Sequence, residues 1–84
     1  MSKTDKELLE LAAKAGGIDY ERNLYKWNPL ANDGDRYVLA KKLDLWVDFE
    51  NGMICHRGNL VRDSVKDIDR AIVEVAADIG EAMP

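Results

Sequence analysis

WNPLANDGDRYVLAKKLDLWVDFENGMICHR, residues Trp27 to Arg57, decides the fold, because a proline turn, a capped helix and a hairpin follow one another in it without slack. Asn28 precedes Pro29, so Asn28 is pushed towards an extended conformation and Pro29 presets a bend. Beyond the bend, Asn32 or Asp33 can cap a helix. Asp33 and Asp35 would sit near its positive end, with Lys41 and Lys42 near its negative end. Leu39, Ala40 and Leu43, with Arg36 or Tyr37 one turn earlier, share a face at helical spacing, which predicts a helix from about Gly34 to Leu43.

After that helix the period changes to two. Leu45, Val47 and Phe49 alternate with Trp46, Asp48 and Glu50, and Asn51-Gly52 is a strong hairpin signal. With these two residues at the centre of a type I′ turn, Phe49 would face Ile54, Val47 would face His56 and Trp46 would face Arg57. The core face would then carry Leu45, Val47, Phe49, Ile54 and His56. The outer face would carry Trp46, Asp48, Glu50, Met53, Cys55 and Arg57.

A chain of 84 residues is one domain with a thin core. Its 46% hydrophobic and 33% charged residues are those of an ordinary globular protein, without repeats or low-complexity segments. No apolar run is long enough to span a bilayer, and MSKTDKELLE is far too charged for a secretory signal, so a cytosolic protein is expected. One Cys and one His cannot build a disulfide or a structural zinc site, and neither cofactor nor metal is expected. Twelve basic against sixteen acidic residues give a net charge of −4, which disfavours nucleic acid as a partner.

On the N-terminal side, Thr4 and Glu7 form a capping box ahead of Leu8, Leu11, Ala12 and Ala15, and Gly16-Gly17 ends the pattern. A helix from Asp5 to Ala15 follows. Ile18 and Tyr20, then Leu24, Tyr25 and Trp27, suggest one or two short strands around a turn-like Glu21 to Asn23. On the C-terminal side, Gly58 and Asn59 interrupt the alternation, and Leu60 to Arg62 reads as one more short strand or as plain coil, with coil preferred. Ser64 offers a cap for a helix from Val65 to about Ala82. Its stripe would be Val65, Ile68, Ile72, Val75, Ala76 and Ile79, leaving Val73 off the stripe and Lys66, Arg70, Glu74, Asp78 and Glu81 in solvent.

Few residues carry chemistry. Cys55 and His56 are adjacent, but neighbours in a strand point to opposite faces and cannot form a thiol and base pair. His56 reads as a rim residue of the core, satisfied by a backbone group. Asp33 and Asp35 around Gly34 resemble the start of a calcium loop, yet Tyr37 and Leu39 stand where further ligands belong, and helix capping explains the acids better. Gly16-Gly17 ends a helix rather than opening one, so it is no phosphate loop. Lys41 and Lys42, and Arg57, Arg62 and Lys66, lack interleaved aromatic residues and read as dipole partners and surface charges. Trp46 is the residue least easily explained as core or as ordinary surface. It is a large ring on the outer sheet face, to be covered by residues 18 to 27, stacked under Arg57, or used as an interface anchor.

Trp27 to Leu43, WNPLANDGDRYVLAKKL, resembles a pattern of small uncharacterised proteins of tailed phages and prophages, in which WNPL precedes an acidic DGD and an aliphatic LA-x-KL helix. AIVEVAADIGEAM, Ala71 to Met83, is similar to their closing helix. The resemblance implies a phage-encoded accessory protein acting in the host cytosol, with no catalytic residues to carry over.

The fold expected is α+β: three helices packed on one face of a small antiparallel sheet built around a hairpin of residues 45–57, in the order α, short β, α, hairpin, α. The core expected is Leu8, Leu11, Val38 or Leu39, Leu43, Leu45, Val47, Phe49, Ile54, Ile68, Ile72, Val75 and Ile79. The function expected is non-enzymatic binding of another protein, or of a second copy of the chain, with Trp46, Met53 and Arg57 as interface residues. Two rivals are an acidic decoy that occupies a nucleic-acid site on a host factor through the outer face of the last helix, and a small enzyme with His56 as base.

Overall fold

The computed structural model describes residues 3–24 and 26–84. Among them the chain forms helix α1 (Asp5–Gly16), a 3-10 turn (Glu21–Asn23), helix α2 (Asp33–Lys42), strands β1 (Leu45–Asp48), β2 (Met53–His56) and β3 (Asn59–Arg62), and helix α3 (Ile68–Ala82). The strands make one antiparallel sheet in the order β1-β2-β3, and the helices lie on one of its faces, an α+β fold.

Helix starts follow the capping residues. The Thr4 hydroxyl accepts from Glu7 N–H while the Glu7 carboxylate accepts from Thr4 N–H, completing the box at α1. The Asn32 side chain accepts from Asp35 N–H and starts α2. Asp67 rather than Ser64 caps α3, accepting from Arg70 N–H at 3.1 Å. The expected first turn from Val65 does not form because Val65 N–H donates to Gly52 O, tying residues 63–66 to the hairpin.

The bend before α2 is locked from both sides. Asn28 N–H donates to the Asp35 carboxylate, and Leu30 N–H donates to the Asn28 side chain. Arg36, the buried charged residue of the core, donates to Pro29 O at 2.7 Å and pairs with Asp33 and, at 3.4 Å, with Asp69 at the start of α3. Pro29 and Trp27 are themselves buried, so the turn is part of the core.

Helix α3 runs through the middle of the molecule. Ile68, Ile72, Val75 and Ile79 pack with Leu45, Val47, Ile54 and Val61 of the sheet. Val73, Ala76 and Ala77 pack with Leu8, Leu9, Ala12 and Ala13 of α1 and with Trp27, Leu39 and Leu43. Val73, expected off the stripe, is therefore fully buried, because this helix has two apolar faces. Its charged side is not merely solvated. Arg70 reaches Asp5 of α1 at 2.9 Å and Asp78 reaches Arg62 of β3 at 2.5 Å.

Four further expectations are corrected. Residues 18–24 and 26–27 hold the 3-10 turn and no strand; Tyr25, part of the expected second strand, lies outside the described residues. Leu60 to Arg62 is not coil but belongs to β3. The two-residue turn is Arg57-Gly58, where φ of 52° and 84° supplies the two positive values a type I′ turn requires, so the alternation resumes beyond it. The β1-β2 connection is instead a four-residue loop of residues 49–52. The Asp48 carboxylate accepts from the N–H groups of Glu50 and Asn51 and from the Asn51 amide, a side-chain turn that displaces the tight one.

The pairs are thus Asp48 with Met53, Val47 with Ile54, Trp46 with Cys55 and Leu45 with His56. The slip from the expected register is two residues. Because side chains alternate with period two, the strand positions keep their faces while Phe49 leaves the core for the loop, 66% exposed.

Candidate functional site

Outward from the core, the sheet presents a cross-strand row. Trp46 pairs with Cys55 and Cys55 with Leu60, and these three share the face that α3 does not cover. Met53, two pairs along, lies on the same face and is half-buried. Arg57 is not across from Trp46 as expected. It occupies the β2-β3 turn, exposed and with positive φ.

Trp46 is 60% exposed, so among the described residues no segment covers it. Its ring also borders a groove of about 610 Å³ between α2 and β1. Ala40, Leu45, Val47 and Ile72 contribute apolar walls. Tyr37, 68% exposed, and Phe49 bring two more aromatic rings, while Arg36, Lys41, Asp33 and Asp69 supply the polar lining. Trp46 therefore stands where the outer row and the groove meet.

The backbone along this groove has a defined polarity. Arg57 N–H donates to Asp44 O at 3.2 Å, which continues the β1-β2 ladder by one pair. In an antiparallel ladder bonded and non-bonded pairs alternate, so Trp46–Cys55 and Asp48–Met53 are bonded, whereas Leu45–His56 and Val47–Ile54 are not. Leu45 and Val47 consequently turn their N–H and C=O groups away from β2. Among the described residues no other backbone group bonds to that edge.

Acids stand at both ends of β1, beside the Arg36 and Lys41 cations of the groove. Asp44 precedes β1 and Asp48 closes it, with Glu50 in the loop beyond. The Asn51 side chain, then the Asn51 and Glu50 N–H groups, hold the Asp48 carboxyl below the usual carboxylate range.

The other candidate residues do not come together among the described residues. His56 lies on the inner sheet face opposite Leu45 and outside the groove, and no group of the described residues forms an ion pair or hydrogen bond with its imidazole. Cys55 is half-buried on the opposite face. Among the described residues no cluster of three His, Cys, Asp or Glu side chains could hold a metal. Asp33 is an ion-pair partner of Arg36, and Asp35 ties down Asn28. On the outer face of α3, Asp78 and Glu81 are engaged by Arg62 and Lys3. No helix of the described residues is long and apolar enough to cross a membrane.

Tyr37 and Phe49 carry no sequence signal of an exposed aromatic site. Tyr37 lies one position from Arg36 on α2, and helical spacing allows either of the two on the inner face. Phe49 satisfied the strand alternation. The signal that separates Phe49 from the core is Asp48, whose carboxylate can capture the following N–H groups and end the strand there. No family model, curated protein or solved structure matches this chain.

Proposed function

We propose that the chain is a non-catalytic protein-binding module, an accessory protein of the phage type acting in the host cytosol, whose contact surface centres on Trp46. The observation that carries this reading is a tryptophan 60% exposed at the junction of the outer row and the aromatic groove. Tryptophan and tyrosine are enriched where binding energy concentrates, and a patch of several rings is more than the scattered exposed hydrophobics of a monomer. Met53 extends the patch on the outer face. Arg57 stands at its end in the β2-β3 turn. The phage assignment rests on the resemblance of the WNPL and DGD stretch, which builds the locked bend and the cap of α2.

The test compares the native chain with Trp46→Ala as baits in a bacterial lysate. A protein held by the native chain should bind Trp46→Ala about 30-fold more weakly, the equivalent of about 2 kcal/mol. The melting temperature should change little, since the ring contributes little to the core. Equal retention by both chains, or no specific retention by the native one, would overturn the reading.

A further inference from the structure

Strand β1 ends the sheet with its outward N–H and C=O groups, those of Leu45 and Val47, opening beside an apolar groove. Exposed edges of this kind are templates for another strand, and proteins usually blunt them with lysine, proline or a bulge. β1 carries none of these. Its guards are Asp44 and Asp48, one at each end.

Those guards discriminate between occupants. If a second copy paired antiparallel through its own Leu45 and Val47, Trp46 would face its counterpart and Asp44 would fall opposite Asp48 at both ends of the pairing. Like charges directly opposite destabilise a strand pair. The same two acids attract a strand that brings cations. Period two then fixes the rest of the guest: residues opposite Leu45 and Val47 point to the groove side, and residues opposite Trp46 and Asp48 point to the outer side.

We infer that β1 and its groove receive, by strand addition, an extended segment of a partner protein in which apolar and basic residues alternate. The inference rests on the binding role proposed above and names the partner's chemistry. Apolar side chains of the guest enter between Tyr37, Ala40 and Ile72. Its basic side chains stand on the outer side beside Asp48, with Asp44 just before the strand at φ of 57°, and the face of the Trp46 ring is a further attraction for a cation. Main-chain bonds to Leu45 and Val47 supply affinity, and alternate side chains supply specificity. Asp48 suits this role because its turn contacts favour the charged form.

The experiment uses the full chain and two blocked peptides, Val-Lys-Val-Lys-Val-Lys-Val and the same sequence with Glu for Lys, followed by amide hydrogen exchange and titration. In the free chain the Leu45 and Val47 amides should exchange freely while those of Trp46 and Asp48 are protected. The lysine peptide should protect Leu45 and Val47, and the glutamate peptide should bind about tenfold more weakly, as two exposed charge pairs reverse sign. The double variant Asp44→Asn with Asp48→Asn, which keeps an amide oxygen for the turn, should erase that preference. Equal binding of the two peptides to the native chain overturns the inference. A peptide-free dimer with Leu45 and Val47 already protected also overturns it, since a second copy then fills the edge. If Trp46→Ala loses a protein partner while the lysine peptide leaves both amides unprotected, the binding surface stands and strand addition fails.

Discussion

Gly80 is where α3 and α1 touch backbone to backbone, and replacing it with alanine sets two effects against each other. In an unencumbered helix the change would stabilise by about 1 kcal/mol through helix propensity. Here the new methyl would lie 1.9 Å from Leu11 O and 2.8 Å from Leu11 C, against 3.4–4 Å for ordinary contact. Neither atom is a side-chain tip that can swing away, so the two helices must separate by roughly 1.5 Å, and gaps of about 0.5–1 Å already forfeit a quarter to a half of a dispersion contact. The contacts at risk are those of Leu8, Leu9, Ala12 and Ala13 with Val73, Ala76 and Ala77. Burial of a leucine or valine contributes about 1.5–3 kcal/mol, so losing up to half of it at Leu8, Leu9 and Val73 amounts to roughly 2–4 kcal/mol. After the propensity gain, the net loss is about 1–3 kcal/mol, a sizeable part of the roughly 4–12 kcal/mol expected for a domain of this size. Urea denaturation should show the midpoint falling by about 1–2 M. Gly34→Ala is the control, since a methyl there meets only the Asn32 side chain at 3.2 Å. Gly80→Ala as stable as the native chain, or more so, would refute the close crossing.

Three other outcomes follow from the same packing. Val73→Ala should cost about 2–3 kcal/mol, comparable with the 2–5 of Ile72→Ala, because both faces of α3 are buried; a neutral Val73→Ala in thermal melts would mean that α1 does not cover it. Gly52→Val should destabilise by at least about 1 kcal/mol, since φ is +67° there and a Cβ would lie 2.5 Å from Val65 O, and an unchanged melting temperature would refute that contact. Asp48 and Glu7 are both held below the ordinary carboxyl value, by Asn51 and by the Thr4 backbone N–H respectively. A depressed folded value stabilises above the unfolded value and is lost as pH falls through the folded one, so stability should decline on the acid side. Asp48→Asn should make that decline shallower, and an unaltered acid limb would count against the turn contacts.

Local signals carried most of the architecture. The Thr4 and Glu7 box, the Asn32 cap and the switch from helical spacing to alternation at Leu45 each depend on neighbours in sequence, and each element formed where these signals placed it. What could not be read locally was competition between signals. Asn51-Gly52 is a strong turn dipeptide, but Asp48 offers three acceptor contacts to the same loop, and Arg57-Gly58 took the tight turn instead. Ser64 could cap a helix, but Val65 N–H is held by Gly52. Val73 lies off the single apolar stripe, but α3 has two partners and needs a second apolar face. The outer face assigned to Trp46 survived, since a two-residue slip leaves alternation intact. The groove did not appear in the sequence at all, because Tyr37 joins Trp46 and Phe49 in its lining only through the docking of α2 beside β1.

The most direct measurement is the fluorescence of Trp46 in a Trp27→Phe background, at dilutions where the chain is monomeric. Trp27 is buried and would mask the signal otherwise. Emission should be characteristic of a water-exposed indole, with acrylamide quenching close to that of a free tryptophan, because the ring is open on the sheet face and available to a partner. Blue-shifted emission protected from quencher in the dilute chain would place Trp46 in the core and contradict its role as a binding anchor.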